Sequence, residues 1–258
     1  MNSANLPHTE LDAAGLEFSR TSHQVAIDRF RREATLRLRH SRSRWAPFFR
    51  SLASFRKLRS IAIRTICKIE GGQMWSVTYR ELMSQYYLVQ VGIHSYGPCL
   101  NPGCLPEGTS VGNYCSLAPG IQVVRRNHPT DRITQHPFFY NSLCGLIEKD
   151  SIHAVRQNPL TIGHDVWIGQ DVVIAPGCRV IGDSSVVAAG AVIAKDVPPF
   201  AIVGGIPGRF LRWRLPDALQ TQWIKSQWWL KPIDEHSDAL DSFLRPLAPE
   251  ATELRVAE

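Results

Sequence analysis

From Ile162 to Pro198 the chain repeats every six residues: IGHDVW, IGQDVV and IAPGCR, then, after one extra residue at Val180, IGDSSV, VAAGAV and IAKDVP. Each hexad opens on an aliphatic residue (Ile162, Ile168, Ile174, Ile181, Val187, Ile193), and its fifth place is small or β-branched (Val166, Val172, Cys178, Ser185, Ala191, Val197). VGNYCS, LAPGIQ and VVRRNH carry the same phase from Val111, Leu117 and Val123, and VGIHSY at Val91 is an isolated match. Six residues hold a short strand and a turn, so no unit buries its apolar face alone and each must stack on its neighbours. Three hexads make one coil, as in 111–128, 162–179 and 181–198. Coils stacked about 4.8 Å apart set each opening aliphatic residue on its equivalent. Gly112, Gly163, Gly169 and Gly182 follow those residues, where a larger side chain crowds a corner. An ordinary buried strand run does not keep a six-residue phase.

The phase breaks between His128 and Ile162. An insertion this long in a compact repeat is functional or disordered as a rule, and its Phe, Tyr and His content favours order. Loop 129–160 is expected to leave the prism and cover a neighbour. Three regions follow: a basic, mostly helical extension over 1–85, a repeat domain over 86–210 carrying the loop, and a C-terminal helix and tail over 211–258.

The net charge of +6 is unevenly spread. Residues 20–68 hold fourteen basic and two acidic residues, so the rest of the chain is net acidic. Trp45, Phe48, Phe49, Leu52, Phe55, Leu58, Ile61 and Ile63 lie among those arginines, the pattern of basic amphipathic helices. Such helices lie on an anionic membrane surface, bind nucleic acid, or dock on their own domain. No helix-turn-helix, zinc-finger or RNA-binding pattern accompanies them, so nucleic acid is not expected. There is no apolar run of about 20 residues to span a membrane, and the polar start, MNSANLPHTELDAAG, does not read as a signal peptide. Cys115 and Cys178 fill small-residue slots, and Cys99 and Cys104 lack a second pair to complete a metal site. A reduced, cytoplasmic protein is expected, with peripheral contact at the inner face of the membrane through residues 20–68 as one option. Residues 214–230 read as a helix whose Trp223, together with Trp228 and Trp229, covers the open end of the prism or a subunit contact.

Four stretches resemble the hexapeptide-repeat acyltransferases, and within them the xenobiotic (streptogramin and chloramphenicol) acetyltransferases and their polysaccharide O-acetylating relatives. NHPTD (127–131) with HPFFYN (136–141) is similar to the family's active-site loop, and IGHDVWIGQDVVIAPG (162–177) to its signature coil. AKDVPPFAIVGGIPGR (194–209) resembles its acetyl-coenzyme A end, and WWLKPID (228–234) the closing helix of the xenobiotic branch. The resemblance covers about 85–240. It implies an all-β solenoid, a left-handed parallel β-helix with a protruding loop and flanking N- and C-terminal helices. It also implies acetyl-coenzyme A as co-substrate and a homotrimer with sites between adjacent prisms.

Acetyl transfer from a thioester to a hydroxyl needs a base, donors for an oxyanion, and a means of holding both reactants. His128 stands where the family carries its base, and imidazole both takes and returns a proton near neutral pH. Asn127, Asp131, His136 and Trp167 are candidate acceptor contacts; structural roles are open for each, Asn127 in its small-residue slot and His136 in loop packing. By the resemblance, the amide of Gln170 meets the oxyanion, and a preorganised amide suits a developing charge. Ala189 and Gly190 would lie along the pantetheine arm, Gly205 and Pro207 at the closing turn, and Lys195, Arg209 and Arg212 near the phosphates. The expected function is acetyl-coenzyme A-dependent O-acetylation of a saccharide or surface glycan by direct, His-assisted attack, with an antibiotic or other small alcohol as the alternative acceptor. No metal is expected. A zinc hydratase of the carbonic-anhydrase type would need three histidines; His128, His136, His153 and His164 lack its ligand spacing. A catalytically silent scaffold is the remaining alternative.

Overall fold

The computed structural model describes residues 42–152, 159–231, 233, 235, 236 and 240–244. They fall in two compact units, one within 41–231 and a small one within 232–246. The small unit's described helix is Leu240–Leu244. Residues 1–41 and His153 lie outside the described set, so the expectations placed on them are not addressed.

The larger unit begins with helices α1 (Ala46–Ser54), α2 (Arg59–Ile69) and α3 (Val77–Tyr87). Two-residue strands follow: β1 (Gln90–Val91), β2 (Ser110–Val111), β3 (Ser116–Leu117), β4 (Gln122–Val123), β5 (Thr161–Ile162), β6 (Trp167–Ile168), β7 (Val173–Ile174), β8 (Val180–Ile181), β9 (Val186–Val187) and β10 (Val192–Ile193). β11 (Ala201–Gly204), β12 (Arg209–Trp213) and helix α4 (Asp217–Ser226) complete it. Successive strands visit three sheets in rotation: β1-β2-β5-β8, then β3-β6-β9-β11, then β4-β7-β10. Every pairing among them is parallel and in hexad register, as in Val111 beside Ile162 beside Ile181. The opening aliphatic residues point inward, and Val111, Leu117, Ile162, Ile168, Ile174, Ile181, Val187 and Ile193 are buried in one core.

The isolated match at Val91 is a true rung. β1 pairs with β2, and Tyr96 bridges to Ser116. The segment between them hides the rung's membership by replacing the third hexad with a short 3₁₀ turn, Pro98–Leu100. The extra residue at Val180 is absorbed at a corner, where one Asp196 carboxylate oxygen accepts the amides of Arg179 (2.6 Å) and Val180 (2.9 Å).

Each corner repeats its own geometry. Between the first and second sheets the same left-handed backbone recurs at His94, Tyr114, Asp165, Ser184 and Phe200, a conformation uncommon for residues with a β-carbon. Between the second and third sheets it recurs at Gly120, Asp171, Gly190 and Gly205. Gly112 has no such torsion; its reason is proximity. A β-carbon there would lie 2.4 Å from the Gly163 carbonyl oxygen and 2.8 Å from the His164 nitrogen. At this row a ladder of side chains ties coil to coil. Asn113 Oδ1 accepts the Ile93 amide (2.9 Å), His164 Nδ1 accepts the Asn113 amide (2.9 Å), and Asp183 Oδ1 accepts the His164 amide (2.7 Å).

Helices α1–α3 share the core of the β1 end: Ala53, Ala62, Ile63, Ile66, Leu82 and Met83 join Val91 and Val111 in it. The buried Glu70 carboxylate organises them, accepting from Ser43 N, Ser76 Oγ, Thr78 N and Thr78 Oγ1 at 2.7–3.0 Å. The C-terminal tryptophans depart from the first of the two placements expected for them. They do not cap an open end but strap the corner between the first two sheets, where the left-handed residues expose flat rings. Trp228 meets Tyr114, Trp229 meets His164, and Trp223 meets Phe200. Asn113 Nδ2 donates to the Trp229 carbonyl at 2.9 Å and Tyr114 Oη to that of Lys231 at 2.6 Å. At the far end of the second sheet, β12 turns back antiparallel on β11 with a register shift at Ile202/Val203.

Gly112→Ala is expected to destabilise the fold by about 1–3 kcal/mol through overpacking against backbone that cannot rotate away, read by urea denaturation. Burial holds the His164 pKa below the usual histidine value, and its Nδ1 must stay unprotonated to accept from Asn113. The folded state therefore binds fewer protons than the unfolded one. The stability His164 contributes is complete above about pH 6.5 and lost as pH falls below it. Denaturation midpoints against pH should show this decline in the wild type and a shallower one in His164→Gln.

Candidate active site

After β4 the chain leaves the prism, and Arg125 marks the point. It is buried and donates to the Cys178 carbonyl (2.7 and 2.8 Å) and the Pro176 carbonyl (3.0 Å) of the next coil. Because this guanidinium satisfies the corner carbonyls, the hexad register ends there. Asn127 is consequently exposed rather than seated in the inward small-residue slot. His128 follows, also exposed, at the root of the loop.

The His128 ring is oriented through Nδ1, which lies 2.8 Å from the Gln135 carbonyl oxygen and 3.0 Å from Tyr140 Oη. A carbonyl only accepts, so Nδ1 carries the proton and Nε2 presents a lone pair. Tyr140 is buried, meets the imidazole edge to face at 5.4 Å, and sits beneath the Arg126 guanidinium. Arg126 is held in turn by Asp150 at 3.1 Å, and Asp150 accepts from Ser142 N and Oγ at 2.8 Å. These Ser142 contacts are the main reason the Asp150 carboxyl sits below its ordinary range. Asp131 makes no hydrogen bond among the described residues, and the His128 ring is held by Gln135 and Tyr140 instead. Tyr140 lies in the HPFFYN stretch but carried no signal of its role, and the Gln135 contact is a backbone group that leaves no trace in residue identity.

His136 is committed otherwise. Its Nδ1 accepts the Phe138 amide at 3.4 Å and caps the short turn Pro137–Phe139. The proton then resides on Nε2, which makes His136 a donor where His128 is an acceptor. A cavity of about 640 Å³ opens beside His128, lined by Pro129, Thr130, Asp131, Arg132, Asp150, Ser151 and Ile152. Arg132 is tied to Ser151 Oγ at 2.7 Å. Thr130 and Asp131 are exposed and make no hydrogen bond among the described residues.

The remaining candidates gather elsewhere, along the edge between the second and third sheets. The Gly190 amide donates to the Gln170 carbonyl at 2.7 Å, and the Val192 amide to that of Gly205 at 3.1 Å. Gln170, Ala189, Gly190 and Gly205 thus form one column along successive coils. The Gln170 amide has no acceptor among the described residues, and the space above Gly190, with φ +70, is open. Pro207 follows a cis peptide in the turn that docks on β10 through Gly208 N to Val192 O, 2.8 Å. Arg209 begins β12 just beyond that turn, Arg212 lies three residues on, and Lys195 leaves the far end of β10. Trp167 stands outward on the second sheet between Ser116 and Val186, 56 % exposed. The structure therefore separates the candidates into a His128 cavity and a Gln170–Gly205 column, and none of the column residues lines the cavity.

No thiol is activated in the core. Burial pushes Cys67 up to about 11 and Cys99, Cys115 and Cys178 up to about 12. Among the described residues no three metal-ligating side chains converge.

No family model matches the chain. Over 163 residues it is 31% identical to a chloramphenicol acetyltransferase of Escherichia coli, covering 60% of this chain and 77% of that protein. A probable macrolide acetyltransferase of Lysinibacillus sphaericus is 34% identical over 137 residues, 51% of this chain and 74% of that protein. A galactoside O-acetyltransferase of Escherichia coli K12 is 47% identical over 66 residues, 23% of this chain and 32% of that protein.

Tyr140→Phe removes one of the two groups at Nδ1 and is expected to cost about 1 kcal/mol of stability, read by urea denaturation. Nitrogen NMR of the His128 ring should still find the proton on Nδ1; its transfer to Nε2 would mean that the tyrosine, not the carbonyl, sets the tautomer.

Proposed function

The chain belongs to the hexapeptide-repeat acyltransferases, in the branch that holds chloramphenicol acetyltransferase, and from that premise we propose that it moves an acetyl group from acetyl-coenzyme A to a hydroxyl of a saccharide-class acceptor. One observation carries the chemistry: His128 offers an unprotonated Nε2 beside an open, mostly polar cavity, its tautomer set from behind by a carbonyl. In this reading Nε2 takes the acceptor's proton as its oxygen attacks the thioester carbon. The oxyanion that forms is met by the Gln170 amide, which faces no protein acceptor. As the carbon–sulfur bond breaks, the imidazolium returns the proton to the leaving thiolate. Thr130 and Asp131 supply the polar wall that a polyhydroxyl acceptor requires, with Asn127 beside it. His136 serves the loop and is not the base.

The Gln170–Gly205 column suits the pantetheine arm, because exposed backbone and a side-chain-free Gly190 let an extended chain approach. Pro207 shapes the closing turn, Arg209, Arg212 and Lys195 are the cations for the phosphates, and Trp167 walls the channel. Since cavity and column are separate in one copy, the site is completed in a homotrimer of left-handed coils, the cavity of one copy facing the column of the next. The length of the match to chloramphenicol and macrolide acetyltransferases favours a second reading, in which the acceptor is an antibiotic-type alcohol.

Coenzyme A release should be followed by mass spectrometry with acetyl-coenzyme A and separate saccharide and antibiotic acceptors. His128→Ala is expected to lower kcat by about 10²–10⁴-fold; turnover unchanged in that variant rejects His128 as the base. Turnover with chloramphenicol and none with any saccharide replaces the first acceptor reading by the second.

A further inference from the structure

Helices α1 and α2 have their inner faces filled: Ala46, Ala53, Ala62, Ile63, Ile66 and Cys67 are buried. The outward rows of such helices are polar when they face water. Here they also carry Phe48, 57 % exposed, and Ile61, 62 %, and the residues flanking the helices are apolar and exposed too: Trp45 at 51 %, Phe55 at 62 % and Leu58 at 42 %. Phe55 and Leu58 flank Arg56 and Lys57 in the exposed turn that joins the two helices, so apolar and cationic groups alternate at its tip.

The charge on this surface is of one sign. Residues 42–69 contain eight basic residues and no acidic one. Glu81 pairs with Arg42 and Arg50, whereas Arg56, Lys57, Arg64 and Lys68 are exposed and form no ion pair among the described residues. A two-fold contact with a second copy would set these cations against their equivalents. An anionic lipid surface meets both demands at once: headgroups take the arginines and lysines, and the rings reach the acyl boundary.

We propose that the α1–α2 hairpin is a docking surface for anionic membrane, with Phe55 and Leu58 entering the interface and Arg56, Lys57, Arg64 and Lys68 held at the headgroups. The acyltransferase site is then carried to the membrane rather than left to diffuse. The inference stands on exposure and charge and is independent of the acceptor.

The full chain should be sedimented with phosphatidylcholine vesicles with and without phosphatidylglycerol. Binding is expected only where phosphatidylglycerol is present, and it should fall about ten-fold or more in both Arg56→Glu/Lys57→Glu and Phe55→Ser/Leu58→Ser. All four positions are exposed, so the variants should melt with the wild type. No binding by the wild type overturns the proposal. So does binding that neither double variant weakens, since another part of the chain then carries it. A change of mass in solution in either double variant, by light scattering, would reassign the surface to a contact between copies.

Discussion

Neighbouring coils lie so close that backbone meets backbone with no side chain between. A β-carbon on Gly112 or Gly169 would lie 2.4 Å and 2.5 Å from backbone of the next coil, far inside van der Waals contact. That approach is what lets the parallel ladders form, brings Asn113, His164 and Asp183 within reach of one another's amides, and goes with a left-handed residue at two of the three corners of the coil. It also places Gln170, Gly190 and Gly205 in one column, because equivalent corners of successive coils must superimpose. The column is thus a by-product of stacking, and a ligand laid along it reads repeat geometry rather than any single side chain.

The loop depends on the same stacking while escaping its rules. It leaves after β4 and returns at β5, yet β2 still pairs with β5 and β4 with β7. The ladder closes across the excursion, and Arg125 satisfies the carbonyls exposed at the exit. Exposed loop positions such as Thr130, Asp131 and Leu143 can therefore vary without disturbing the coils, whereas Leu160 at the loop's end belongs to the core. The oriented His128 stands at its root, held by Gln135 and Tyr140 from the loop itself, so the imidazole and the cavity beside it are built from one piece of chain.

Periodicity made the prism legible: the aliphatic rows, the glycines and the extra residue at Val180 all follow from counting in sixes. It failed where the count was interrupted. Val91 looked isolated because a 3₁₀ turn replaces the hexads after it, and Asn127 was placed inward because nothing local announces that Arg125 ends the register. The orienting of His128 was out of reach for a different reason. One partner is a backbone carbonyl, and the other is a tyrosine whose role exists only once the loop has folded. The strapping of a corner by Trp228 and Trp229 was equally hidden, since it rests on contacts more than a hundred residues apart, such as Asn113 with Trp229.

A stack of parallel rungs has no internal reason to stop. Each terminal rung offers unpaired amides and carbonyls on which the same pattern could add, and a second molecule would supply it. On the second sheet that invitation is withdrawn by β12, which runs the opposite way to the rungs before it and breaks register at Ile202/Val203. At the other end helices α1–α3 occupy the core surface on which a further coil would sit. Both terminators come from the chain itself, so at these two places a surface that is by construction a template for further rungs is covered without a partner.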